Sequence, residues 1–172
     1  DANGKVIYIN TFSKTIAPSI RISYMILPPA LAREYEKRLG FYSCTVAAFE
    51  QYTLATFISE GYFERHIRRM KRRYKVLRDD IISQIENSPI ADRVEILEPD
   101  SGLHFILKIA TDKSDPEISE FCGKEKIKIA FLSEYYVGKK DAGEHLALIN
   151  YSGISSEEFK KALICLEKAT AL

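Results

Sequence analysis

The chain has 172 residues, 46% of them apolar, which suits one domain or one and a half around a real core. Lysine and arginine number 25 against 24 acids, so the net charge of +1 gives no reason to expect a nucleic-acid or membrane partner from charge alone. No apolar stretch approaches the roughly 20 residues that span a bilayer, and the polar start Asp1-Ala2-Asn3-Gly4 shows no signal peptide and no initiator Met, as expected of a chain cut from something longer.

Val6-Ile7-Tyr8-Ile9 is a β-branched and aromatic run that predicts a short buried strand. A polar turn follows from Asn10 to Ser19, then a second strand over Ile20 to Leu27, stopped by Pro28-Pro29. Leu31, Tyr35 and Leu39 stand four apart and predict a helix over 30–39. Gly40 to Thr45 reads as a loop. Val46 to Ser59 reads as a helix apolar on most sides and therefore largely buried, with Gly61 as its C′ residue. Phe63, Ile67, Met70, Tyr74, Leu77, Ile81 and Ile85 recur at spacings of three and four, which predicts one long amphipathic helix ending before Pro89.

The pattern changes near residue 88. Val94 and Ile96, then Leu103, Phe105, Leu107 and Ile109, alternate as strands do, with Asp100-Ser101-Gly102 as the turn between them. Ser114 to Cys122 predicts a helix with Asp115 and Glu117 at its start. Ile127 to Phe131 and His145 to Asn150 predict further strands, and this second layer reads as antiparallel α+β. Ser155-Ser156-Glu157-Glu158 is a capping box before a closing helix that turns Phe159, Ala162, Leu163 and Leu166 to one face. A domain junction is expected in or along the long helix.

Cys44, Cys122 and Cys165 are odd in number and widely spaced, and read as reduced, buried thiols of a cytoplasmic protein. No His/Cys/Asp cluster has metal-ligand spacing, so no metal is expected.

The chemistry concentrates between Tyr8 and Arg21. Where the first strand ends, the chain opens into a turn holding Thr11, Ser13, Lys14 and, seven residues on, Arg21. Hydroxyls and exposed backbone N–H groups suit phosphate oxygens. Arginine adds a fixed charge on a planar fork that grips phosphate, and a lysine among cations is a better nucleophile toward an aldehyde. The stretch therefore reads either as an ordinary polar surface turn or as an amine beside an anion clamp.

Thr11-Phe12-Ser13-Lys14-Thr15-Ile16-Ala17-Pro18-Ser19-Ile20-Arg21-Ile22-Ser23-Tyr24 resembles the cofactor-lysine motif of fold-type-I, pyridoxal-phosphate (PLP) dependent aminotransferases. The wording is most similar to the MocR branch, bacterial regulators that fuse a GntR-type winged helix to an aminotransferase-like domain. Tyr42-Ser43-Cys44-Thr45-Val46, Phe63-Glu64-Arg65-His66-Ile67-Arg68-Arg69-Met70, Ser101-Gly102-Leu103-His104 and Asn150-Tyr151-Ser152-Gly153-Ile154 fit the same branch.

The resemblance implies an α/β fold. Residues 1–60 would be the C-terminal part of a large PLP-binding domain, 61–88 a long connecting helix, and 89–172 a small α+β C-terminal domain. It implies that Lys14 holds PLP as a Schiff base and acts as the catalytic lysine, that Thr11 and Ser13 bond the phosphate, and that Arg21 neutralises it. The carboxylate that pairs with the pyridinium nitrogen and the ring that stacks on it lie upstream of this lysine in the family. PLP binding is therefore expected in the intact protein and weak or absent in this chain. Many aminotransferases place a substrate-carboxylate arginine near the last small-domain strand, whereas His145 to Tyr151 contains none. That favours an effector-sensing domain of a MocR/GntR-type regulator over an amino-acid aminotransferase, which stays open. The expected partners are an amino-acid or amine ligand and a second copy in a homodimer, with DNA bound only through a domain absent here.

Several features keep two readings. Eight basic residues between Arg65 and Arg78 form either a solvated face partly paired to Glu64, Asp79 and Asp80 or a nucleic-acid-binding helix. His104 is either near the substrate side of the cleft or an ordinary strand histidine, and His66 and His145 read as structural. Cys44 either approaches the cofactor cavity or packs in the core. Tyr135-Tyr136 is a lid or a surface turn.

Overall fold

The computed structural model describes residues 3–100, 102–137 and 143–171. The chain divides into two units, Asp1–Met70 and Lys71–Leu172, with the boundary inside a helix.

In the first unit β1 (Tyr8–Thr11) and β2 (Ser23–Ile26) pair antiparallel, from Tyr8 opposite Ile26 to Thr11 opposite Ser23. Helix α1 (Pro29–Leu39) starts on a proline, whose fixed φ suits a first helical turn. Helix α2 (Ala48–Ser59) follows, and Gly61 sits just past it at φ +74°, a left-handed geometry that glycine adopts without a Cβ penalty. Helix α3 (Tyr62–Glu86) is the long helix that the three-and-four spacing predicts.

Burial in this unit departs from expectation. Among its described residues only Pro28 is fully buried. The strand predicted as buried is exposed: Ile9, which the run Val6–Ile9 placed inside, is 67% accessible. Helix α2, also predicted as buried, leaves Phe49 and Tyr52 more than 70% accessible. An all-round apolar helix needs cover on several sides, and the described residues of this unit do not supply it. Cys44 is likewise exposed, not a buried thiol.

The second unit holds the core. Strands β3 (Val94–Leu97), β4 (His104–Ile109) and β5 (Leu146–Asn150) form an antiparallel sheet in that order. Strand β4 alternates as its sequence requires, with Phe105, Leu107 and Ile109 buried and His104 and Lys108 exposed. Helices α4 (Asp115–Lys124) and α5 (Ser156–Ala169) add Ile118, Cys122, Phe159, Leu163 and Leu166 to the core, while Ile81 and Ile85 arrive from the end of α3. Each such isoleucine, leucine or phenylalanine contributes about 1.5–3 kcal/mol by leaving water. Of the predicted turn Asp100-Ser101-Gly102, Ser101 lies outside the described residues, and Gly102 adopts φ +93°.

The strand predicted over Ile127–Phe131 does not form. Helix α4 ends with Lys126 in the left-handed region, where its N–H donates to Gly123 and that of Ile127 to Cys122. The chain then meets β5 only through an isolated bridge, Phe131 with Ala147, and the Leu148 N–H bond to Ala130. The Phe131 N–H is taken by the Glu134 carboxylate at 3.1 Å as a 3₁₀ turn over Leu132–Tyr135 begins, so no ladder can continue. Tyr135 and Tyr136 are exposed in and after that turn.

Candidate cofactor site

Strand β1 delivers Thr11, and β2 begins at Ser23, so the intervening segment is a closed turn pinned at its neck. The Phe12 N–H and the Thr11 hydroxyl both donate to the Ile22 carbonyl, at 2.9 and 3.1 Å. Inside the turn the Thr15 and Ile16 N–H groups donate to the Phe12 carbonyl at 3.1 and 2.8 Å, and the Ile20 N–H to Ala17 at 3.0 Å.

Three of the four predicted residues are brought together. The Ser13 hydroxyl donates to the Ile20 carbonyl at 2.5 Å and accepts from Arg21 Nη1 at 3.2 Å. Thr11 Oγ1 lies 3.3 Å from Ser13 Oγ and accepts the Ser13 N–H at 3.3 Å. Lys14 follows Ser13 and is exposed. From Tyr8 to Ile26 the chain carries Lys14 and Arg21 and no acid, so the turn is a local cation beside two hydroxyls. This donor set fits a phosphate dianion, and Lys14 adds an amine one residue from the cluster.

The turn is also gripped from outside its own strands. Phe12 packs on Tyr24 at 5.3 Å and edge-on against Phe63 of α3 at 6.1 Å. His66, one turn further along α3, has Nε2 3.0 Å from the Thr15 carbonyl. Sequence reasoning placed His66 as structural and missed this partner, 51 residues away, because no local pattern signals it.

His104 is exposed at the start of β4, opposite Asn150. His145 sits at φ +60°, and its backbone N–H donates at 3.0 Å to the buried Asp115, which also accepts the Ser133 hydroxyl. The basic face of α3 is exposed apart from Arg78. The pairing expected there is confined, among the described residues, to Arg78, which meets Asp79 at 2.9 Å and also Asp100. Arg65 lies over the Tyr62 ring at 4.5 Å. No group of three metal-ligating side chains occurs among the described residues, and no helix there is long and apolar enough to cross a membrane.

No family model matches the chain. It is 33% identical over 171 residues to the HTH-type transcriptional regulator YhdI of Bacillus subtilis (strain 168), covering 99% of this chain and 36% of that protein. It is 29% identical over 170 residues to the probable rhizopine catabolism regulatory protein MocR of Rhizobium meliloti, covering 98% and 34%. Its homologues are thus MocR/GntR-type regulators and, at 30% identity over 103 residues, the aromatic-amino-acid aminotransferase 1 of Thermococcus litoralis. In three dimensions it matches the kynurenine aminotransferase of Pyrococcus horikoshii, solved in complex with PMP, with a TM-score of 0.81 and 23% identity over 99% of this chain and 41% of that one. The fold is therefore part of the fold-type-I aminotransferase fold, and PLP is the cofactor of that family. The chain spans little more than a third of the length of the MocR-type regulators it matches.

Proposed function

We propose that this chain carries the PLP lysine of an effector-sensing, aminotransferase-like domain in a MocR/GntR-type transcriptional regulator of the bacterial cytoplasm. The observation that carries the reading is the hydrogen-bonded set Thr11, Ser13 and Arg21 beside Lys14, in a turn free of acids. PLP supplies an aldehyde that an amine can capture and a ring that draws electrons from the captured amine.

Each residue then has a definite task. Lys14 would hold PLP through its amine, which condenses with an aldehyde by releasing water. The Thr11 and Ser13 hydroxyls rotate from their backbone acceptors to phosphate oxygens, and Arg21 neutralises the charge they surround. An amino acid or other amine ligand would compete with Lys14 for that aldehyde, and the displaced Lys14 Nζ would receive the two protons that the incoming amine gives up. A sensor needs no more than this exchange, provided the two occupied forms differ in conformational preference. The absence of arginine between His145 and Tyr151 favours sensing over turnover. The intact regulator would act as a homodimer and reach DNA through a domain outside this chain.

The test is borohydride reduction of the full-length protein with PLP, followed by peptide mapping. The cofactor should be fixed on Lys14, and Lys14→Ala should abolish the adduct. An adduct on another lysine would overturn the assignment. Sustained 2-oxo-acid production from a panel of amino acids would replace the sensor with an aminotransferase. The 172-residue chain alone should bind PLP weakly or not at all.

A further inference from the structure

The turn that carries Lys14 has almost no buried support of its own. Phe12 and Thr15, which flank Lys14, are both half-buried, and no fully buried hydrophobic side chain lies in the described part of this unit. Two contacts from one face of α3 hold the turn instead. Phe63 and His66 stand three residues apart and so project from the same side of the helix. Phe63 meets the ring of Phe12, two residues before Lys14, and His66 meets the carbonyl of Thr15, one residue after it.

The chemistry of the second contact is directional. A carbonyl oxygen only accepts, so the ring must donate, and Nε2 must carry the proton. Both the neutral Nε2–H tautomer and the doubly protonated ring satisfy this. Only the opposite neutral tautomer breaks the bond. The Thr15 N–H is already committed to Phe12 at 3.1 Å. With both ends of the Thr15 residue bonded, the backbone on the C-terminal side of Lys14 is fixed. A lysine has four rotatable side-chain bonds, so the aim of its amine depends on how firmly its backbone is held.

We propose that His66 is a positioning residue for Lys14. By donating Nε2–H to the Thr15 carbonyl from the rigid α3, it presents the Lys14 amine to the cofactor's aldehyde without touching the phosphate cradle. The proposal rests on the reading of Lys14 as the PLP lysine.

The full-length protein provides the test, with PLP and PMP as probes. PMP carries an amine where PLP carries the aldehyde, so its affinity reads the cradle alone. His66→Leu removes the donor while keeping apolar bulk, and His66→Gln keeps an N–H donor. His66→Leu should slow bonding of PLP to Lys14, followed by absorbance and borohydride trapping, by about tenfold or more. Its PMP affinity should change less than threefold, and His66→Gln should recover most of the rate. Unchanged PLP bonding in His66→Leu would overturn the proposal, as would an equal loss of PMP and PLP binding or a failure of glutamine to rescue. If the unsubstituted protein does not bond PLP through Lys14 at all, the cofactor reading itself falls and this proposal falls with it.

Discussion

Arg21 makes its described side-chain bond to the hydroxyl of Ser13. Among the described residues no carboxylate pairs with it, so a bound anion would not have to displace one there. An arginine held in this way offers a phosphate its remaining donors at little cost in reorganisation. Arg21→Ala should weaken PMP binding to the full-length protein by about 1.5–3 kcal/mol, the worth of a hydrogen bond to a charged group. Arg21→Lys should recover part of it, because a point charge lacks the planar fork. Calorimetric titration would check this, and undiminished PMP affinity in Arg21→Ala would remove Arg21 from the cradle. The members of this cluster were legible because they lie within eleven residues of one another on a single turn. His66 was not, since its partner is 51 residues away and a histidine on an amphipathic helix looks the same whether or not it grips a loop.

The capped helices were the most readable elements, because a cap is a local arrangement of three or four residues. The Ser155 N–H and hydroxyl both donate to the Glu158 carboxylate at 2.7 Å, and the Glu158 N–H returns to the Ser155 hydroxyl at 3.3 Å. The backbone and side-chain bonds from Ser155 hold the Glu158 carboxyl below its ordinary value of 4.5, and those from Ser114 do the same for Glu117 on α4. A lowered folded value means that the folded state binds the proton more weakly. The contribution of these carboxylates is then complete above about 4.5 and is lost as pH falls through the folded value. Ser155→Ala should cost about 1 kcal/mol at neutral pH, and the deficit should shrink as pH falls. Urea melts between pH 3 and 7 would show this, whereas a deficit that stays constant with pH would deny the carboxylate its share. The element misread as a strand, Ile127–Phe131, failed for a non-local reason. Its apolar alternation is genuine, with Phe131 buried, but Glu134 captures the N–H that a ladder would need.

At the scale of the whole chain, the two units differ in how their apolar residues are used. Composition is apolar in both, and helix α2 is apolar on most of its sides, so the sequence alone read α2 and β1 as buried. Hydrophobicity states that a surface needs cover; it does not say that the same chain supplies the cover. Among the described residues of the second unit sixteen apolar side chains form one buried cluster, whereas the first leaves Val6, Ile7, Ile9, Phe49 and Tyr52 exposed. Local opening costs little where few apolar contacts are broken. In the isolated 172-residue chain, native-state hydrogen exchange should therefore be uneven. Amides of β4 and α5 should be protected up to the global unfolding free energy. Those of α1 and α2 should exchange through openings that cost only a small part of it, and urea should affect them before the sheet of the second unit. The comparison belongs at two protein concentrations, because a second copy seated on the exposed face would protect α2 in proportion to association. Protection of α2 equal to that of α5, or rising with concentration, would show that the first unit finds its cover in this chain or in a copy of it. Equal weakness at both concentrations would match a unit whose apolar face is built for a partner surface that this chain does not contain.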